Sequence, residues 1–378
     1  MNDAVAVNET KQPKGLKVFC LSIFFERYGF YLVQGLLVLY LVKYFRANDH
    51  MAYNILGSFI ALCYIMPLLG GFIADKYWGL RKSIYIGAVI ECLGLLLLIV
   101  PGMFALIMGL SAIAMGMGLL KPCASSLLGF LYKKDDPRQD AGYTIFYVVF
   151  NGGIILATFL SGFLVRYFGW KFTFFTGAIA LVITFLIFYF GFIKYKLKDL
   201  GPNITSTFTG NITSLVLIII SVLLGFIILK YEILALIVFI GVSISVIGIF
   251  IYCIIKSEKA YKSKLVAFFI LLVISTVYWA LYMQMFLSIT LFIDSIVNKT
   301  ILGIPIPTPA FASIESFGVI IFGYPVARLW LFLSKTKFNP SLPMKFCFGM
   351  ILLCLSFAAL SLGTHFIGPN GLVYAVWI

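Results

Sequence analysis

Long apolar runs, interrupted at intervals by charge, proline or glycine, organise nearly the whole sequence. They predict membrane-spanning helices at about 18–45, 52–75, 83–101, 103–132, 142–167, 171–194, 213–229, 232–255, 265–293, 310–334 and 343–364. A hydrocarbon core of roughly 30 Å needs about 20 apolar residues at about 1.5 Å per residue, and the runs meet that length. Stretches such as Leu93 to Val100 and Leu215 to Leu229 are apolar on every face, which excludes the alternating pattern of a spanning β-barrel. The expectation is an all-α, polytopic membrane protein. Spans seven and eight, aliphatic and free of internal charge, follow a loose connection from Gly201 to Asn211 and predict a lipid-facing pair inserted between two bundles. A last run, Gly371 to Ile378, is too short to cross and reads as the start of a twelfth span. The expected organisation is a tail at 1–17, a six-helix bundle at 18–196, a loop and two-helix insertion at 197–262, and a partial C-terminal bundle at 263–378.

Composition agrees: 62% of the 378 residues are hydrophobic and 11% charged, outside the range of soluble domains. The net charge of +14 does not mark a nucleic-acid binder, because the basic residues form short clusters between spans, with no stripe on one face. One alternate set of connections holds nineteen Lys and Arg, in the clusters Lys11–Lys17, Lys76–Lys82, Lys133–Arg138, Lys194–Lys198, Lys256–Lys264 and Lys335–Lys345; the other holds six, Lys43, Arg46, Arg166, Lys171, Lys230 and Lys299. The imbalance places the first set and the N-terminus in the cytoplasm, in a cytoplasmic-membrane protein. The seven cysteines lack metal or redox spacing and read as core residues. No cleavable signal peptide is evident. The sequons at Asn203 and Asn211 fall in a connection assigned to the cytoplasm and read as accidental. The two histidines, His50 and His365, lie in outer connections without carboxylates at metal spacing, so neither catalysis nor a cofactor is expected.

Charge inside a span is costly, roughly 2.5–3.5 kcal/mol on insertion scales, so each instance asks for a partner and a purpose. Glu26, Arg27, Glu91, Lys121 and Glu315 qualify. Glu26 and Arg27 are adjacent and point about 100° apart on a helix, which predicts partners on other spans: Lys121 for Glu26, and Glu315 or an outside group for Arg27. A buried carboxylate between cations changes protonation as the cations engage elsewhere; the alternative is a set of static ion pairs holding helices together. Glu91, with no other polar group on its span, is the weaker candidate. Polar stripes accompany the charges: Arg27, Tyr31 and Gln34 on span one; Tyr143, Tyr147, Asn151 and Thr158 on span five; and Gln284 and Ser288 on span nine, with Tyr278, Trp279 and Tyr282 close by. Together they predict a midplane pocket for a polar, zwitterionic ligand, against the alternative of interhelical hydrogen bonds alone. Asp75, Lys76, Arg81 and Lys82 lie in a short loop after span two that is either a gating device or a topology signal. Gly71 to Trp78 and Gly323 to Trp330 are faintly alike, which supports an internal repeat of the kind found in transporters.

Several stretches resemble the proton-dependent oligopeptide transporter family of the major facilitator superfamily: Phe25 to Tyr40 (FERYGFYLVQGLLVLY), Gly70 to Lys82 (GGFIADKYWGLRK), Gly116 to Leu127, Asp136 to Gly142 with Phe146 to Gly153, Tyr282 to Met285, and Leu342 to Phe346. The resemblance runs in order over nearly the whole chain. It implies a major facilitator fold with two extra helices between the bundles. It also implies a symporter importing di- and tripeptides with protons as coupling ion and no other cofactor. Glu26 and Arg27 would belong to the coupling motif with Lys121 as partner, and Arg27, Tyr31, Tyr64, Tyr147, Asn151 and Gln284 would line the peptide site. A positive cluster near Arg27 and Lys121 would receive the peptide carboxylate.

The chain departs from the family pattern at Ile23, where a Glu is usual, at Met283, where a Glu often precedes the Gln, and at Glu315, where Asn is common; Glu315 is the expected replacement acid. The chain is expected to stop as a further helix carrying a substrate-binding Glu begins, leaving the C-terminal bundle incomplete. The expected partners are a di- or tripeptide and the lipid bilayer, not nucleic acid, and the protein is expected to act as a monomer. The alternatives are a transport-inactive remnant and a carrier of another small polar solute.

Overall fold

A computed structural model describes residues 11–134, 136, 138–197, 204, 206–301, 303–337, 339–368 and 371–377. Most of the tail at 1–17, Lys198, Asn203 and Ile378 lie outside the described residues. Helix dominates: α1 (Leu16–Lys43), α2 (Asp49–Ile73), α3 (Gly79–Leu97), α4 (Met103–Gly129), α5 (Arg138–Lys194), α6 (Phe208–Lys230), α7 (Glu232–Lys256), α8 (Lys259–Tyr282), α9 (Ser288–Ile296), α10 (Ser313–Leu333) and α11 (Leu342–Gly363). The apolar runs dictate this, because in hydrocarbon each backbone N–H and C=O must find its partner within the segment. Among the described residues, eight helical stretches are long and apolar enough to cross a membrane, and two of these, Asp49–Leu97 and Arg138–Lys194, each run through two predicted spans. Helix α1 is not one of the eight; it is 28 residues long but carries Glu26 and Arg27 near its middle.

One expected loop is a helical turn, and a second narrows to a single non-helical residue. The segment carrying Asp75 and Lys76 is a π-helical turn, Ala74–Trp78, that runs into α3 at Gly79, whose φ of 73° suits a residue without a Cβ. Lys76 lies over the rings of Phe72 and Tyr77, and Lys82 over Trp78, so these two lysines are held by aromatic faces. Asp75 and Arg81 are exposed. The second is Gly169, φ 81°, a non-helical break within α5 with helical backbone on both sides. Helix α5 starts where Asp136 accepts hydrogen bonds from the backbone N–H and guanidinium of Arg138, and these bonds hold the Asp136 carboxyl down at about 2.

The chain divides into two compact units. The first comprises Met1–Val33, Phe59–Ala157 and Leu164–Phe226. Its core gathers Phe19, Ile84, Leu120, Leu127, Leu128, Phe188 and Phe192, and α4 is buried along most of its length. Small residues set the closest approaches, as is usual where lipid supplies no hydrophobic drive between helices. Gly94 faces Gly109 and Gly87 faces Gly116 between α3 and α4, and Gly70 faces Gly118 between α2 and α4. A Cβ at Gly70 would fall on the Gly118 carbonyl. Gly70→Val is therefore expected to lower stability by about 1–3 kcal/mol, read as a lower melting temperature in detergent; an unchanged value would show that α2 and α4 tolerate separation.

Helix α6, expected to face lipid, has a packed side. Ser111 donates to the carbonyl of Val222 at 2.7 Å, Gly225 seats against Ser111, and Phe226 meets Phe104 edge-on. A hydroxyl, a glycine and an aromatic ring thus dock it on α4. Helix α7, with Ala235 its one buried residue, keeps the exposed character that its composition predicts.

The second unit comprises Gln34–Ser58, Thr158–Phe163 and Ile227–Ile378. Span nine is broken here. Helix α8 stops at Tyr282, a 3-10 turn covers Met283–Phe286, and α9 resumes at Ser288. Strands β1 (Val297–Asn298) and β4 (Val373–Tyr374) pair in parallel, while β2 (Thr300–Ile301) and β3 (Ile304–Pro305) form a small antiparallel pair. Val373, in the run expected to open a twelfth span, instead packs with Ile293, Val297 and Phe311, and a 3-10 turn follows it.

Candidate functional site

The first unit holds a buried charge cluster built on α1. Glu26 and Arg27 are 0% and 1% exposed. Contrary to the expectation drawn from their angular separation, they pair with each other: Arg27 Nε and Nη2 donate to the two carboxylate oxygens of Glu26. The long arginine side chain curls back far enough to present its planar fork to the neighbouring carboxylate, a bidentate geometry that lysine cannot copy. In this structure the ion-pair partner of Glu26 is Arg27, in place of the expected Lys121.

Rings complete the setting. The Arg27 guanidinium lies 5.0 Å from the Phe30 centroid, 5.1 Å from Phe150 and 5.9 Å from Tyr31, within cation–π range. Phe30 is stacked on Phe59 and Tyr31 meets Phe150 edge-on. The approach of α5 that brings Phe150 here depends on Gly153, where a Cβ would stand 3.1 Å from the Arg27 Cβ and would strike the Phe24 carbonyl. Phe30, Phe150 and Gly153 thus join the site beyond the residues that the sequence predicts. Phe30 at i+3 from Arg27 was visible in principle, whereas Phe150 required the helix pairing.

Lys121, partly buried on α4, lies in the electrostatic field of both Arg27 and Glu26 and makes no hydrogen bond or ion pair among the described residues. The cluster thus offers one ammonium without a counterion beside a neutralised Glu–Arg pair. Cys63 on α2 lies within electrostatic range of Glu91, Arg27, Lys121 and Glu26. Other predicted residues of this unit are arranged around them. Tyr64 is 62% exposed and in the field of Arg27. Tyr147 is 54% exposed with its ring stacked on Phe150. Asn151 is buried and donates to the Tyr147 carbonyl at 2.9 Å.

Tyr143 of the first unit donates to the Ser125 carbonyl at 3.0 Å, whereas Gln34, the span-nine residues and Glu315 belong to the second unit. Gln34 is buried, two turns beyond Arg27 on α1. Tyr278, Trp279 and Tyr282 form an aromatic cluster at the end of α8, with centroids 5.2–6.2 Å apart. At the break, Gln284 Oε1 accepts from Ser288 Oγ at 2.8 Å, and Thr290 Oγ1 donates to the Met285 carbonyl. Broken spans of this kind free backbone groups for ligands. Glu315, in the first turn of α10, accepts from Ser316 Oγ at 2.9 Å and lines a cavity of about 340 Å³ with Tyr282, Met285 and Trp377.

One polar junction in this unit was not anticipated. Asp294 on α9 accepts from Lys43 Nζ at 2.7 Å and from Thr308 Oγ1 at 2.8 Å, with Lys299 Nζ at 3.6 Å. Nearby, Gly162 closes on Pro307 and Pro309. The last residue of α1 is thus tied to the end of α9.

A charged cluster inside a polytopic helical protein, with a broken span in its second unit, is the architecture of a carrier. A family model described as PTR2, POT family, matches residues 81–375. The chain belongs to the POT family. This POT protein is 31% identical over 379 residues to a dipeptide and tripeptide permease A of Chromobacterium violaceum, an alignment covering 99% of the chain and 75% of that relative. A permease of the same description from Salmonella typhimurium is 30% identical over 381 residues, covering 100% of the chain and 75% of the relative. Among solved structures, a peptide transporter POT in complex with sulfate superposes with a TM-score of 0.85 at 27% identity, covering 97% of this chain and 77% of that one. Membership of the POT family makes the protein a multi-pass membrane transporter, not an enzyme.

Proposed function

We propose that the protein is a symporter that brings di- and tripeptides inward across the cytoplasmic membrane, with protons as the coupling ion. The observation that carries this reading is Lys121: an ammonium without a counterion beside a fully buried Glu26–Arg27 pair, in a chain whose relatives are named dipeptide and tripeptide permeases. A peptide carboxylate reaching this cluster binds Lys121 and competes with Glu26 for Arg27. Release of Glu26 from the fork makes it a proton acceptor, so occupancy and protonation become linked. Within the first unit, Tyr31, Tyr64, Tyr147 and Asn151 are the hydrogen-bonding groups assigned to the peptide; within the second unit, Gln34, Tyr278, Trp279 and Gln284 are assigned the same role. The monomer is the working unit, and the N-terminus, with Asp75 and Arg81 at the first corner, faces the cytoplasm.

In that orientation Lys43 and Asp294 lie on the outer side, and their contact is one that alternating access has to break. Asp294→Asn removes the anion shared by Lys43 and Lys299 and is expected to weaken closure of that side. Cysteine labelling of the Lys43 region from outside measures it: labelling faster than in the parent is expected, and equal rates would mean that the ion pair does not hold the segment shut. The function itself is tested by uptake of labelled dialanine into liposomes containing the purified chain. Accumulation driven by an inward proton gradient and abolished by a protonophore supports the reading; gradient-independent equilibration or no uptake contradicts it.

A further inference from the structure

Glu91 is the one charged group of the cluster without a task in the proposed coupling. It sits in the middle of α3 at 0% exposure, and neither carboxyl oxygen has a hydrogen-bond partner. A static structural acid would be partnered, because an unpaired buried polar group is among the most costly features of a fold. Glu91 is also placed tightly. A Cβ at Gly116 on α4 would stand 2.7 Å from the Glu91 Cβ, so the absence of a side chain at Gly116 is what admits the acid at this crossing. Its electrostatic neighbours are Glu26 and Arg27 on α1. Around it, α2 presents Cys63 and α3 itself presents Cys92, while Lys121 of α4 acts on Arg27, Glu26 and Cys63. The α5 limb beyond Gly169 presents no charged residue between Thr173 and Thr184.

The set therefore contains two buried acids and one arginine that act on one another electrostatically. Arg27 neutralises one carboxylate through its fork, and the other acid stays neutral only by holding a proton. In the structure the fork is on Glu26 and the unpartnered acid is Glu91. We propose that Glu91 is the proton-carrying acid of this transporter and trades places with Glu26 at Arg27 during the cycle. When a substrate carboxylate draws Arg27 from Glu26, Glu26 accepts a proton. When Arg27 turns to Glu91, the proton leaves a Glu91 carboxyl oxygen for water, and the carboxylate left behind is paired with the guanidinium. One proton is bound and one released, with no other reactant.

This inference rests on proton-coupled transport by the chain, and the test separates the two. Infrared difference spectra of the purified full chain in lipid, recorded across a pH titration, report a protonated carboxyl C=O band whether or not the protein transports. That band is expected in the wild type and absent in Glu91→Gln. In liposomes, Glu91→Gln is expected to reduce proton-driven dialanine uptake at least tenfold and to flatten its pH profile, while Glu91→Asp restores a pH-dependent profile. Glu91→Met, which replaces an unpartnered acid by an apolar chain of similar size, is expected to raise the melting temperature, so that lost uptake is not lost folding. An unchanged band or an unchanged pH profile in Glu91→Gln, or a lower melting temperature in Glu91→Met, overturns the assignment.

Discussion

Arg27→Ala is expected to reduce proton-driven dipeptide uptake on the order of a hundredfold, because removing one member of a desolvated charge pair costs about 2–5 kcal/mol and each 1.4 kcal/mol is tenfold. The loss has two parts. Glu26, at 0% exposure, would lose the guanidinium that satisfies both of its oxygens, and the rings of Phe30, Tyr31 and Phe150 would lose the cation that they surround. Breaking a buried pair from one side destabilises by about 3–5 kcal/mol, so a lower melting temperature accompanies the functional defect. Arg27→Lys separates the two effects. It keeps the charge over the rings but not the fork, so it is expected to recover part of the melting temperature and little of the uptake. Wild-type uptake in Arg27→Lys would show that a point charge suffices and that the bidentate geometry has no role.

Lys121→Gln is expected to raise the KM for free dipeptides by about ten- to a hundredfold, the equivalent of a charge-assisted hydrogen bond of about 1.5–3 kcal/mol. Lys121 is not needed to neutralise Glu26, which Arg27 already holds, so the fold is expected to survive the change and the effect to appear in substrate recognition. A dipeptide with an amidated C-terminus is the control. It lacks the carboxylate that Lys121 would meet, and its uptake is expected to be equally poor in wild type and variant. A defect of the same size for amidated and free peptides would place Lys121 in conformational switching, outside recognition.

The apolar runs made the spans legible, because a helix in hydrocarbon is dictated by length and composition with little help from tertiary contacts. Its interruptions were harder to read. The break at Gly169 coincided with an expected boundary, but the corner at Ala74–Trp78 read as a loop, since a π turn and an irregular connection carry the same charges. The break at Met283–Phe286 was invisible because Met-Gln-Met-Phe is as compatible with helix as its flanks. Within the site, the residue types were found from the cost of burying charge, whereas their pairing was not. The 100° rule describes where Cβ vectors point and says little about a side chain as long as arginine. Glu91 was undervalued for a related reason: its span has no polar stripe, and its neighbours come from α1 and α2. Docking of α6 through Ser111 and Gly225 was likewise hidden in a sequence that reads as uniformly lipid-facing.

Proton movement measured together with peptide movement addresses the central claim most directly. With the purified chain in liposomes carrying a trapped pH dye, addition of dialanine to the outside is expected to acidify the lumen in step with uptake, and both signals are expected to vanish in Arg27→Ala. Peptide entry without acidification, or acidification that persists in Arg27→Ala, would contradict coupling through the buried pair.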